Sequence, residues 1–175
     1  MYRCGHWCRT KVAFGTGVLS ALIIKTAVLN HIYAHSPEDV WRVVTDFGCL
    51  QDAVRGLLMF EGLPEGSLQE RQVVDVKVSM FGVLPAQSYR MEFIAFDPKN
   101  LTFTSNEVGM GIKHWQHRLC IVPRANGAEL IDEIEIEAGW RTGMVAAWAR
   151  FMYARRHGPR VRMLAVQSAY GVWGV

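Results

Sequence analysis

Four residues of the 175-residue chain have side chains suited to moving protons and stand where a fold could pair them: His117, Asp132, Tyr89 and Glu107. His117 shares one face of an alternating segment with Trp115, Leu119 and Ile121, and Asp132 shares a face of the next segment with Leu130, Ile134 and Ile136. An imidazole or carboxylate on an apolar face must find a partner or shift its pKa. Hydrogen-bonded across a hairpin, Asp132 would orient the His117 ring and leave its second nitrogen toward a ligand, the geometry of a general base. The same pair serves equally as a structural contact. Tyr89 and Glu107 would add a hydroxyl and a carboxylate, an acid and a base for enolisation or dehydration. Glu107 stands beside Gly109 and Gly111, and the alternative for it is a place in an exposed loop.

Other chemistries lack their motifs. There is no Gly-x-Ser-x-Gly elbow, no phosphate-cradling glycine loop and no His-Glu-x-x-His helix. Cys4, His6 and Cys8 are soft-metal ligand types without a second pair to close a tetrahedron, so neither a metal nor a cofactor is expected. Cys4, Cys8, Cys49 and Cys120 read as reduced thiols in a chain too large to need staples. Lys and Arg number 19 against 16 Asp and Glu, a net +3 spread along the chain, which gives no nucleic-acid footprint. Half the residues are hydrophobic, which excludes disorder and predicts one domain. Six Trp, eight Phe and eight Met supply more large apolar volume than a core requires, and a binding cavity is one use for it.

The elements that must position these residues begin near Ala27. Val28, Asn30, Ile32 and Ala34 alternate with Leu29, His31 and Tyr33, a first strand. Ser36, Pro37 and Asp39 form a helix start resembling a capping box, followed by an apolar stripe of Val40, Trp41, Val44 and Phe47. Gly48 is expected to end that helix, with a second short helix from Leu50 to Arg55. From about Leu57 to Ala138, turn residues separate alternating segments. Val74, Val76, Val78 and Met80 form one apolar row, and Tyr89, Met91, Phe93 and Ala95 another. Asn126-Gly127 marks the last hairpin, whose second strand turns Glu129, Glu133, Glu135 and Glu137 outward. Met144, Val145, Trp148, Phe151 and Met152 then repeat at helical spacing. Arg150, Arg155 and Arg156 are expected in solvent, and Gly158-Pro159 is expected to kink or interrupt the helix before Val161 to Ser168.

Residues 1–25 read as a leader or start-site extension. Arg3, Arg9 and Lys11 precede an apolar run from Val12 to Ile24, too short for an ordinary membrane span. A cut after Ala27 would place Lys25 where a small residue is wanted. The expected domain is 26–168, with 169–175 as a tail, in the cytoplasm unless the leader exports or anchors the chain.

One strand, two short helices, about six antiparallel strands and a long C-terminal helix make an α+β fold, a curved sheet of about seven strands wrapped around that helix. Ser36-Pro37-Glu38-Asp39-Val40-Trp41, Trp115-Gln116-His117-Arg118, Asn126-Gly127 through Asp132, and Phe151-Met152-Tyr153 with Arg155-Arg156-His157 stand in this order. In that order, from about Ala27 to Leu164, the chain resembles the SRPBCC superfamily, the helix-grip fold of START domains, birch-allergen-like proteins and polyketide cyclase/dehydrases. Its nearest look is to a bacterial branch with a Trp-x-His strand motif. That branch often has a second His where this chain has Leu119, and its helix usually continues where this chain has Gly158-Pro159. The resemblance implies a cavity between sheet and helix for an apolar molecule such as a lipid, sterol or polyketide. Tyr89, Met91, Phe93, Phe103, Trp115, Met144, Trp148 and Met152 would line it, with His117 as the polar group. The readings are carriage or sequestration of that molecule, a cyclase or dehydrase using His117 with Asp132 or Tyr89, or an interaction module making peripheral membrane contact through Val12 to Ile24 and Arg155 to Arg162.

Overall fold

The computed structural model describes residues 24–170, so the leader-like segment with Cys4, His6 and Cys8 lies outside the described residues. The chain runs β1 (Lys25–Tyr33), α1 (Pro37–Thr45), α2 (Phe47–Ala53), β2 (Leu58–Glu61), β3 (Val73–Met80), β4 (Gln87–Asp97), β5 (Thr102–Gly109), β6 (His114–Arg124), β7 (Gly127–Glu137), one 3-10 turn (Gly139–Arg141) and α3 (Thr142–Tyr170). The seven strands form one antiparallel sheet in the order β1-β7-β6-β5-β4-β3-β2. Its first and last strands in space are the first two in sequence, because α1 and α2 carry the chain from one edge to the other. This is the expected α+β helix-grip, a curved sheet folded around a long C-terminal helix.

Local chemistry explains most element boundaries. The Ser36 hydroxyl accepts a hydrogen bond from the Asp39 amide at 3.1 Å, and Pro37 occupies the first turn, where a missing N–H costs nothing. The first helix does not end at Gly48, however. It ends at Thr45, because Asp46 takes an extended conformation and its carboxylate accepts from the Cys49 amide at 2.8 Å, capping α2. Gly48 is thus inside the second helix, which begins three residues earlier than expected. In β4 the alternation shifts at a bulge between Phe93 and Ala95, so Phe96 rather than Ala95 turns inward. The last hairpin closes through Ala125 and Asn126, with Arg124 opposite Gly127. Gly127 has φ +137, and a Cβ there would meet the Tyr33 carbonyl oxygen at 2.0 Å, so only glycine lets β7 lie this close to β1.

Two sequence expectations fail along α3. The helix is continuous over 29 residues with Pro159 inside it, so Gly158-Pro159 does not interrupt it. Tyr153, Arg156, Arg160 and Leu164 form one buried stripe across the proline, and packing on both sides outweighs the lost backbone hydrogen bond. That stripe also moves the inward face. Ala146, Ala149, Met152 and Tyr153 are buried, whereas Phe151 and Met144 are exposed. Arg156, expected in solvent, is 7% exposed, while Arg150 and Arg155 are exposed as expected.

The outward row of β7 is also less wet than its alternation suggests. Glu129 and Glu137 are buried: Asn30 Nδ2 donates to Glu129 at 2.9 Å with Arg124 paired alongside, and the Gly139 amide donates to Glu137 at 3.1 Å. Cys49 is free, but Cys120 is disulfide-bonded, which corrects the reduced-thiol reading at that residue.

Candidate functional site

The concave face of the sheet packs against α3 at one end and stands away from it at the other. Where β1 and β7 meet the helix, Ala27, Ile134, Ile136 and Ala149 are fully buried and the contact is solid. Toward β3, β4 and β5 a cavity of about 370 Å³ opens, within the range of small-molecule pockets. All nine residues that the sequence offers as its lining reach it: Tyr89, Met91, Phe93, Phe103, Trp115, His117, Met144, Trp148 and Met152. Met144 does so at the rim, since it is also exposed.

The strand register brings the proton-moving residues into two diagonal pairs on this face. His117 lies opposite Ile134 and Asp132 opposite Leu119, so the two side chains meet across one step of the β6–β7 ladder. His117 Nε2 stands 2.7 Å from Asp132 Oδ1, and both residues are buried. The other ring nitrogen, Nδ1, has no hydrogen-bond partner among the described residues, and His117 forms part of the cavity wall. Arg160 reaches the second carboxylate oxygen at 3.6 Å. Burial alone would raise the Asp132 carboxyl, but the His117 hydrogen bond and the Arg160 and Arg156 guanidiniums outweigh it and hold the group down at about 2.

Tyr89 and Glu107 form the second pair, two strands away. Tyr89 is opposite Gly109 and Met91 opposite Glu107, again a diagonal step. Glu107 belongs to β5 and the cavity wall, beside Tyr89 as their pairing expects, and not to the alternative exposed loop. The Tyr89 hydroxyl donates to one Glu107 oxygen, and the Ser105 hydroxyl donates to the other at 3.1 Å. Gly109 makes the first contact possible. A Cβ there would stand 2.7 Å from the Tyr89 ring and the Ser88 carbonyl, and φ +155 is open to glycine at no steric cost. Burial, followed by the Glu107 charge and hydrogen bond, raises the Tyr89 phenol well above its ordinary value and keeps it a donor.

A row of rings joins the sheet to the helix. Phe93 meets Phe103 edge-on at 5.6 Å between centroids, Phe103 meets His117 at 5.3 Å, and His117 meets Tyr153 of α3 at 5.0 Å. The Arg156 guanidinium then lies 3.9 Å over the Tyr153 ring. Tyr153, Arg156 and Arg160 all line the cavity, and Tyr153 carries a phenol that burial raises. Sequence reasoning missed these three because it drew the inward helical stripe only through apolar side chains. A stripe through Ala149, Met152, Tyr153, Arg156 and Arg160 has the same helical spacing and would have found them. Among the described residues no group of three or more His, Cys, Asp or Glu stands together as a metal site, and no helix is long and apolar enough to cross a membrane.

No curated protein matches the chain. Among solved structures, it is similar to protein CV1439 from Chromobacterium violaceum, with a TM-score of 0.66 at 13% identity, covering 79% of this chain and 96% of that one. It is also similar to norcoclaurine synthase from Thalictrum flavum in complex with dopamine and hydroxybenzaldehyde (0.62, 15%, 90% and 96%). A START superfamily protein from Mycobacterium smegmatis aligns as well (0.58, 13%, 81% and 97%). At such identities the likeness speaks for the fold, and that fold is of the SRPBCC type. The model of the family described as Domain of unknown function (DUF8410) matches residues 31–164, from within β1 to the buried Leu164 of α3, and the chain belongs to that family.

Proposed function

We propose that the protein binds an apolar small molecule, as a carrier or sequestering protein, in the space between the sheet and α3. The observation that supports this most is the cavity itself: about 370 Å³, walled mainly by apolar side chains, aromatic, Met and aliphatic, with a minority of polar groups. Met91 and Met152 let such a wall adapt to the shape of its guest. Norcoclaurine synthase, of the same fold, has been solved with dopamine and hydroxybenzaldehyde, and a guest of that size class suits this volume. The test is native mass spectrometry of protein purified from its own host, followed by denaturation and identification of what is released. A stoichiometric apolar molecule supports the reading; a protein that carries nothing and takes up neither Nile red nor a fatty-acid panel refutes it.

The second reading is an enzyme of the cyclase/dehydrase kind, favoured by His117 facing the cavity while Asp132 holds its far nitrogen. In that reading Nδ1 removes a proton from the bound molecule, and the Tyr89 phenol, backed by Glu107, donates one. His117→Asn separates the two readings. Loss of turnover with uptake retained favours the enzyme, and an unaltered molecule recovered from both proteins favours the carrier. The membrane-contact reading draws less from α3 than its sequence suggests, because Arg156 and Arg160 are buried and leave Arg155 and Arg162 on the surface.

A further inference from the structure

Each carboxylate on or directly beneath the cavity wall meets a hydrogen-bond donor among the described residues. Asp46 caps α2 through the Cys49 amide, Glu107 accepts from two hydroxyls, and Asp132 is held through one oxygen by His117, its other oxygen without a hydrogen bond but 3.6 Å from Arg160. The cations are not balanced in the same way. Arg156 is 7% exposed and lines the cavity, yet no carboxylate among the described residues comes within 4 Å of it. Among the described residues its only polar contact is from one terminal nitrogen to the Met152 sulfur at 3.7 Å, a weak acceptor, and its Nε has no partner there. A guanidinium carries five N–H donors in a planar fork, and burying it unpaired is costly. Stacking on Tyr153 at 3.9 Å fixes the plane of the fork and satisfies none of those donors.

We propose that the molecule bound in the cavity carries a carboxylate, and that the fork of Arg156 receives its two oxygens while the apolar body rests against the aromatic and Met wall. This rests on the cavity-binding reading above and names the chemical class of the guest. A planar monoanion matches the fork in a bidentate arrangement. A dianionic head group is disfavoured by the Glu107 carboxylate on the same wall. The modest volume suits a body of one or two rings or a medium-length chain.

The experiment compares each of two acids with its neutral, nearly isosteric amide: decanoate with decanamide, and 2-naphthoate with 2-naphthamide. Affinities are measured by isothermal titration calorimetry at neutral pH, with Nile red as a neutral probe of the cavity. The wild-type protein is expected to bind at least one acid about 30-fold more tightly than its amide. Arg156→Met should bring that ratio close to one, and Arg155→Met, which removes an exposed neighbouring charge, should leave it in place. Equal affinity of acid and amide, or a preference that survives Arg156→Met, overturns the carboxylate assignment. In either case continued uptake of Nile red or the amides leaves the cavity reading standing. If no probe of either kind enters the wild-type protein, the cavity reading fails, and the carboxylate with it.

Discussion

Asp132 and Glu107 are both carboxylates on the concave face of one sheet, and the protein treats them in opposite ways. Asp132 has no exposed surface, a 2.7 Å contact to His117 and a guanidinium beside its other oxygen. Glu107 stands on the cavity wall, held by two neutral hydroxyls and with no cation within 4 Å among the described residues. The first is compensated by charge and tied between β7, β6 and α3. The second is solvated by the protein only partly and faces the space a guest would fill. One end of the sheet therefore uses its polar groups to join sheet to helix, and the other leaves them on the wall of the cavity.

The largest effect should come from cutting the first arrangement. Asp132→Ala leaves Arg160 and His117 without their anion and should cost about 3 to 5 kcal/mol in denaturant unfolding. A loss near that of an ordinary surface substitution would mean that Asp132 does not tie the helix to the sheet. The acid limb of the stability curve tests the same point. The Asp132 carboxyl is held at about 2 against an ordinary 3.8, so its contribution is full above that ordinary value and is lost as pH falls toward 2. Asp132→Asn should flatten the limb, and an unchanged slope would count against the compensation.

At the open end the effects are on uptake. Met91→Trp should fill the cavity and reduce Nile red binding, and Trp148→Ala should enlarge it and increase binding. In a filled core both would merely destabilise, the second by about 3 to 5 kcal/mol. Glu107→Gln should then cost about 1 kcal/mol or less, because an amide oxygen still accepts from Tyr89 and no cation among the described residues loses a partner. Equal losses for Glu107→Gln and Asp132→Ala would erase the contrast between the two ends. The smallest effect concerns His31 and His157, stacked at 4.9 Å. Burial lowers both, with Arg160 adding to the effect, so they favour the neutral form in the fold. Their contribution is present above the ordinary 6.5 and declines as pH falls below it, and His157→Gln should make that decline shallower.

Much of the framework is legible without coordinates. The Ser36 cap, the Asn126-Gly127 hairpin and the alternation around His117 and Asp132 are local patterns, and each appears in the fold. The errors share a cause. Gly48 has the residue type of a helix stop but lies inside α2, because the Asp46 side chain had already set the boundary. Pro159 lies inside α3, because the buried stripe passes it on both sides. Propensity is a preference of a few kcal/mol at most, and the packing of a whole helix face exceeds it.

The sequence by itself determined the order of the main elements and the apolar rows of the concave face, because periodicity and turn chemistry operate within a few residues; the lined cavity was what the resemblance implied, and Tyr153 was missing from it. The sequence offered the His117–Asp132 and Tyr89–Glu107 pairs, and tertiary structure alone decided which polar groups on that face are compensated by an opposite charge. Tyr89 meets Glu107 across 18 positions and Asp132 meets His117 across 15, while Arg156 stacks on Tyr153 without meeting a carboxylate among the described residues. A charge has no partner until distant segments are brought together, and the depth at which it is buried sets what that partner is worth.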